Sequence, residues 1–425
     1  MGGKHAQTFL CALFLCALIL SLRAQDAVTT LAGLALVSGA ANGTGTNAVF
    51  NDPAAMVADA VGNLFVADSQ NHAIRKITPG GVVTTFAGQL GVAGSANRTG
   101  TAAQFNTPCG LAFDPSGNLF VSDTGNGTIR KITSAGAVST FAGVAGAGGF
   151  LDGVAGAALF NSPLGIAVAG NGTVYVADSG NHCIRKISGG VVSTFAGCPQ
   201  VWGSADGQGT NAQFNGPVGL AFDPHGNLFV SDANNDTIRK IALDGTVTTF
   251  AGAAGVDGAA DGGAGSARFR SPAEMTFDRK GNLFVADSLN QTLRAIATDG
   301  IVSTVSGAAG DYGATDGVNG SGRFYNPYGL AIGADGTLFL TDTYNELIRT
   351  VLVPFRLTLQ MSGATHAVTI SWDTVIGKKY QMQFRDDLSA AWTNLGVSVT
   401  ATNLSWSVTD NAASQQRIYR VLILP

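Results

Sequence analysis

The chain has 425 residues, 58 of them glycine, with 45% apolar residues and a formal charge of −4. That length allows more than one domain, and the slight acidity argues against the cationic surface that phosphate backbones require, so no nucleic-acid partner is expected. Acidic residues are almost all Asp, with Glu274 and Glu346 as the exceptions, and many Asp precede Gly or Pro, where a short carboxylate caps its own turn.

Residues 1–24 carry Lys4 and His5, an apolar stretch from Phe9 to about Leu22, and Ala24 before Gln25. This is the anatomy of a secretory signal peptide, and it is shorter than the roughly 20 apolar residues that span a bilayer. Cys11 and Cys16 lie inside it without the small-residue context of a lipoprotein cleavage site. A mature chain without a transmembrane segment is expected, placed as a secreted, periplasmic or cell-surface protein.

From residue 25 to 353 one unit repeats. Asp68, Asp123, Asp178, Asp232, Asp287 and Asp342 recur at an almost constant spacing, as do Arg75, Arg130, Arg185, Arg239, Arg294 and Arg349. Phe50, Phe105, Phe160, Phe214, Phe269 and Phe324 keep the same step. A period of this size means a repeat architecture. Each copy reads as four short strands, GLAFD, LFVSD, IRKI and VSTFAG, separated by Gly, Asn and Pro turns. The predicted fold is therefore an all-β, six-bladed β-propeller with four-stranded blades. Val28–Gly33 matches the fourth strand Val83–Gly88, whereas the last copy ends without one, so the N-terminal strand is expected to close the last blade and cover its open edge.

Runs such as Leu64, Phe65 and Val66 do not alternate because blade strands are buried on both faces. Phe65, Phe120, Tyr175, Phe229, Phe284 and Phe339 are expected in the core, each supplying about 1.5 to 3 kcal/mol when buried. The repeated Asp and Arg are read as scaffold: a feature copied into every blade solves a problem that every blade has, here tying the turn between strands two and three to its neighbour.

Residues 354–425 lose the repeat and alternate instead, with Val368, Ile370 and Trp372, then Tyr380, Met382 and Phe384, then Ile418, Val421 and Ile423. A small β-sandwich is predicted there. Three cysteines remain in the mature chain, and Cys183 and Cys198 flank one hairpin, so a bridge and two free thiols are both open.

VADSQNHAIRKI (Val66 to Ile77) and VADSGNHCIRKI (Val176 to Ile187) resemble the signature of the NHL-repeat propellers, in the longer form found on secreted bacterial proteins; the other copies replace the His by Gly127, Asp236, Gln291 and Glu346. The form W-x(n)-G-K-x-Y-Q-M-Q ending in R-x-Y-R-V resembles fibronectin-III-like C-terminal modules. The first resemblance implies an interaction platform, with lactonases and lyases among related propellers; the second implies a spacer or surface attachment.

Function is sought where the copies disagree. On the face carrying the strand-two turns and the crossovers between blades, the candidate ligand-binding residues are His72, His182, Trp202, Tyr312 and Tyr344. Glu274 joins them near the channel, replacing the Gly of blades two, three, four and six, with Tyr328 and Cys109 beside it. The two His, two blades apart, read as turn residues donating hydrogen bonds to backbone rather than as metal ligands, and the Asp-Gly pairs at 152, 206, 257, 261 and 316 as turns rather than calcium loops. Only His72, His182 and His225 occur in the repeats, so no catalytic residue, metal or cofactor is assigned. The expected partner is an extracellular or periplasmic protein, peptide or glycan. A lactonase- or lyase-type enzyme using a channel carboxylate or a bound metal is the alternative.

Overall fold

The computed structural model describes residues 27–318, 320–333 and 335–352 and, further on, 357–361, 368–373, 379–386, 390–391, 393–403, 405–411 and 418–424. The expected signal peptide lies outside the described residues.

Six antiparallel sheets follow one plan. Blade one has the strands Pro53–Ala58, Leu64–Asp68, Ala73–Ile77 and Val82–Ala87 from channel to rim, and blades two to six begin at Pro108, Pro163, Pro217, Pro272 and Pro327. The second strands Leu64–Asp68, Leu119–Asp123, Leu228–Asp232 and Leu283–Asp287 are buried at every position, as two-faced packing between blades demands. Tyr175 and Phe339 depart from the expectation and are only half-buried. Phe339 lines an inter-blade cleft, and Tyr175 is gripped edge-on by Phe195 at 5.0 Å and Phe222 at 5.5 Å. The fully enclosed rings are instead Phe50, Phe105, Phe160, Phe214, Phe269 and Phe324.

The ring closes with the leading strand. Ala27–Ala32 pairs antiparallel with Leu347–Leu352, Val28 opposite Val351, and Val28 joins the core of Phe324, Leu338 and Leu340. One element was not foreseen. In five sheets a two-residue strand from the crossover covers strand four: Gly43–Thr44, Gly153–Val154, Gly207–Gln208, Gly262–Gly263 and Gly317–Val318. These segments are too short and Gly-rich to read as strands, yet they satisfy backbone groups that the outer strand would otherwise leave unpaired.

Neighbouring blades are also stitched by hydroxyls. Ser69, Thr124 and Ser288 each donate at 2.6 Å to the carbonyl of the first-strand Pro of the next blade, Pro108, Pro163 and Pro327. Thr343 donates to Pro53 at 2.8 Å across the closing seam.

The strands from residue 357 onward belong to a separate compact unit. One sheet contains Leu357–Met361, Val368–Asp373 and Ser405–Asp410, the other Thr393–Asn394, Lys379–Arg385, Val399–Thr400 and Ile418–Leu424. Val368 and Ile370 of the first share one core with Tyr380 and Met382 of the second, which makes the unit a β-sandwich.

Candidate functional site

The repeated charges form one internal staple per blade. Arg75, Arg130, Arg185, Arg239, Arg294 and Arg349 bind Asp68, Asp123, Asp178, Asp232, Asp287 and Asp342 at 2.5–2.8 Å, and all twelve side chains are fully buried. Each carboxylate also accepts from an Asn three positions later and from a backbone N–H seventeen positions earlier, for Asp68 those of Asn71 and Asn51. Each guanidinium lies 5.0–5.6 Å from the ring of its blade's buried Phe, a cation–π contact. Burial pushes Asp68 up to about 6, opposed by Arg75 and the N–H donors. The sequence did not reveal a second carboxylate: Asp152, Asp206, Asp261 and Asp316 bind the other side of Arg185, Arg239, Arg294 and Arg349 at 2.6–2.9 Å. Those Asp-Gly turns therefore anchor the crossover to the staple, and Asn42 and Asn97 do so in blades one and two.

His72 and His182 end their strand-two turns in left-handed backbone, φ 55° in each. They accept rather than donate. Nδ1 of His72 receives the N–H of Thr107 and Nδ1 of His182 that of Gly216, both at 3.1 Å. Asp236, Gln291 and Glu346 do the same for Ser271, Asn326 and Asp52. Except for Gly127 in blade two, the residues at this position are thus interchangeable acceptors for the next blade. Burial holds both His below their ordinary pKa, consistent with neutral rings whose proton sits on Nε2.

At the channel mouth the first strands of adjacent blades touch: a Cβ on Gly110 would come within 2.0 Å of Leu164 O, and one on Gly329 within 2.3 Å of Ala54 O. Glu274 is not the single departure from this Gly, since blade one has Ala55 there. Glu274 keeps some accessible surface, yet the surrounding ring pushes its carboxyl up to about 8. Tyr328 and Cys109 are close enough to feel its charge, and burial raises both. Cys109 donates to Thr107 O at 3.5 Å. Cys183 and Cys198 are free thiols as well.

Further out, three positions of each blade meet on the crossover face. The N–H two residues after the staple Asp donates to the carbonyl just after the buried Phe, as Tyr344 does to Tyr325 and Leu289 to Arg270, and the crossover returns beside that Phe through a Gly N–H, as Gly313 does to Phe324. In blades two and three the positions hold Ala93, Asn106 and Gly125, then Gly148, Asn161 and Gly180. In blade four they hold Trp202, Asn215 and Asn234, in blade five Asp257, Arg270 and Leu289, in blade six Tyr312, Tyr325 and Tyr344. Tyr312 stacks on Tyr325 at 4.7 Å and Tyr325 meets Tyr344 edge-on at 5.2 Å. Arg270 and Asp257 pair at 3.2 Å. Trp202 is 69%, Tyr312 65% and Tyr344 50% exposed. The structure thus joins Tyr312 to Tyr344 and Glu274 to Tyr328, while Trp202, His72 and His182 stand on other blades.

The NHL repeat family description matches residues 160–187. Human NHL repeat-containing protein 2 is 28% identical over 331 residues, 73% of this chain and 40% of its own length, so the chain spans about two fifths of that relative. Among solved structures, a protein of unknown function from Bacteroides thetaiotaomicron superposes with a TM-score of 0.60 at 22% identity, over 78% of this chain and 76% of that one. An auxiliary nutrient binding protein from the same organism reaches 0.59 at 15% identity over the same shares. The chain is a six-bladed β-propeller that carries an NHL repeat at residues 160–187.

The ring also has clefts on its opposite face. One of about 390 Å³ lies between blades six and one beside Val61, Pro79 and Phe339, and one of about 510 Å³ between blades one and two around Phe65, Phe86 and Phe113. Equivalent aromatic contacts, such as Phe229 with Phe250 and Phe277, recur around the ring, so these clefts follow from the repeat. No helix among the described residues is long and apolar enough to cross a membrane.

Proposed function

We propose that the protein is an exported binding platform whose ligand, an extracellular or periplasmic protein, peptide or glycan, is held on the crossover face. One observation carries this reading: the three positions that every blade presents there are all small or amide residues in blades two and three, whereas blade four places Trp202 among them, blade five Asp257, Arg270 and Leu289, and blade six three Tyr. A scaffold alone has no reason for that asymmetry, and varied loops on a rigid ring are how platforms bind. In this reading Glu274 and Tyr328 complete the site at the channel, residues 1–24 direct export, and residues 354–425 act as a fibronectin-III-like spacer or anchor. The likeness to an auxiliary nutrient binding protein is compatible with it and names no ligand.

The enzyme alternative would rest on the channel mouth. Burial pushes the Glu274 carboxyl up to about 8 and raises Tyr328 and Cys109 further above their ordinary values, so all three are predominantly protonated at neutral pH. Glu274 and Tyr328 then present hydrogen-bond donors at the channel mouth, which favours binding. The test is a binding survey of secreted proteins, peptides and glycans with the full chain and with Trp202→Ala and Glu274→Ala variants. Loss of binding in either supports the site; wild-type binding by both removes it from this face.

A further inference from the structure

Resting on that reading, we propose that blades four to six bind a neutral polysaccharide, its pyranose rings lying on Trp202 and on the Tyr312–Tyr325–Tyr344 cluster. A pyranose presents an apolar C–H face rimmed by hydroxyls. Its complement is an exposed aromatic face bordered by planar polar groups that donate and accept side by side.

Each blade of the sector supplies part of that complement. Blade four sets Trp202 beside the amides Asn215 and Asn234, themselves 3.5 Å apart through Asn234 Nδ2 and Asn215 Oδ1. Blade five sets the Arg270–Asp257 pair between the two aromatic stations. Blade six supplies three phenols whose rings brace one another at 4.7 and 5.2 Å, so Tyr312 and Tyr344 are presented with little rotamer freedom left to lose.

Charge narrows the class. The Arg270 and Asp257 charges compensate each other and the aromatic stations are neutral, so the sector fits an uncharged sugar rather than an acidic one. A peptide adding as a further strand would need a free edge, and in these three blades part of that edge is already paired with Gly207–Gln208, Gly262–Gly263 and Gly317–Val318. The row crosses three successive blades, which suits a chain of sugars better than a single residue.

The probes are dextran, starch, laminarin, xylan, mannan and galactomannan in affinity electrophoresis of the full chain, with alginate as the acidic comparison. At least one neutral polymer should retard the protein and alginate should not. Trp202→Ala and the double variant Tyr312→Ala/Tyr344→Ala should each weaken retardation roughly tenfold or more, while Gln70→Ala at the matching position of blade one leaves it unchanged. Thermal transitions of these variants, all at exposed side chains, should stay at the wild-type temperature. No retardation by any neutral polymer, or retardation that both aromatic variants retain, overturns the sugar assignment. Peptides selected from a display library separate the two failures. If selected peptides lose binding to the aromatic variants, the platform stands with a different ligand class; if they do not and sugars fail too, the platform reading falls as well.

Discussion

At the scale of single residues the chain uses the same few groups for architecture in every blade. A buried Arg held by carboxylates and a ring leaves several desolvated partners behind if it is removed. Arg239→Leu should therefore cost about 3–5 kcal/mol in denaturant unfolding, against roughly 0.5 kcal/mol or less for Arg270→Leu in its exposed pair. Equal costs would refute the staple. The two histidines add an acid limit. Their folded pKa lies below the ordinary 6.5, so the folded state holds fewer protons than the unfolded one. The stability this represents is present above pH 6.5 and lost as pH falls through the folded value. His72→Gln/His182→Gln, which copies the acceptor that Gln291 already provides, should flatten the melting-temperature profile below pH 6.5. Glu274 works with the opposite sign. Its folded pKa of about 8 exceeds the ordinary 4.5, so the folded state retains a proton that the unfolded state releases and stability falls as pH rises from 4.5 to 8. Glu274→Gln should remove that slope between pH 5 and 8; an unchanged slope would show that the carboxyl is already ionised in the channel. These roles were unevenly legible. The period alone marked Asp68 and Arg75 as scaffold, but whether His72 donates or accepts depends on which N–H the next blade points at it, and no spacing in the chain carries that.

Among the elements, the leading strand has the largest consequence. Without Ala27–Ala32, the strand Leu347–Leu352 would lose its outer partner and expose a row of unpaired N–H and C=O groups on that side. A protein lacking residues 27–32 should lose its cooperative thermal transition or associate through that edge. Light scattering with thermal unfolding checks this, and a monomer melting at the wild-type temperature would contradict the closure. Here the reading from sequence went far, because a missing fourth strand at one end and an extra one at the other can be counted. The two-residue rim strands escaped it. Gly153–Val154 or Gly262–Gly263 has no pattern to detect, and only the curvature of the assembled blade brings it to strand four. Tyr325, Arg270 and Leu289 escaped for a related reason: their significance lies in a backbone hydrogen bond that sets two distant positions side by side.

The propeller is then a nearly symmetric ring with an asymmetric face. Its stability comes from parts that repeat, and its specificity has to come from parts that do not. The most direct measurement is to erase the asymmetry while keeping the ring. A variant carrying the blade-three residues throughout blades four to six, Trp202→Gly, Asn234→Gly, Asp257→Gly, Arg270→Asn, Leu289→Gly, Tyr312→Gly, Tyr325→Asn and Tyr344→Gly, should unfold cooperatively like the parent and lose the binding that the polysaccharide and display surveys detect. A folded variant that binds every ligand as the parent does would contradict the placement of function on blades four to six.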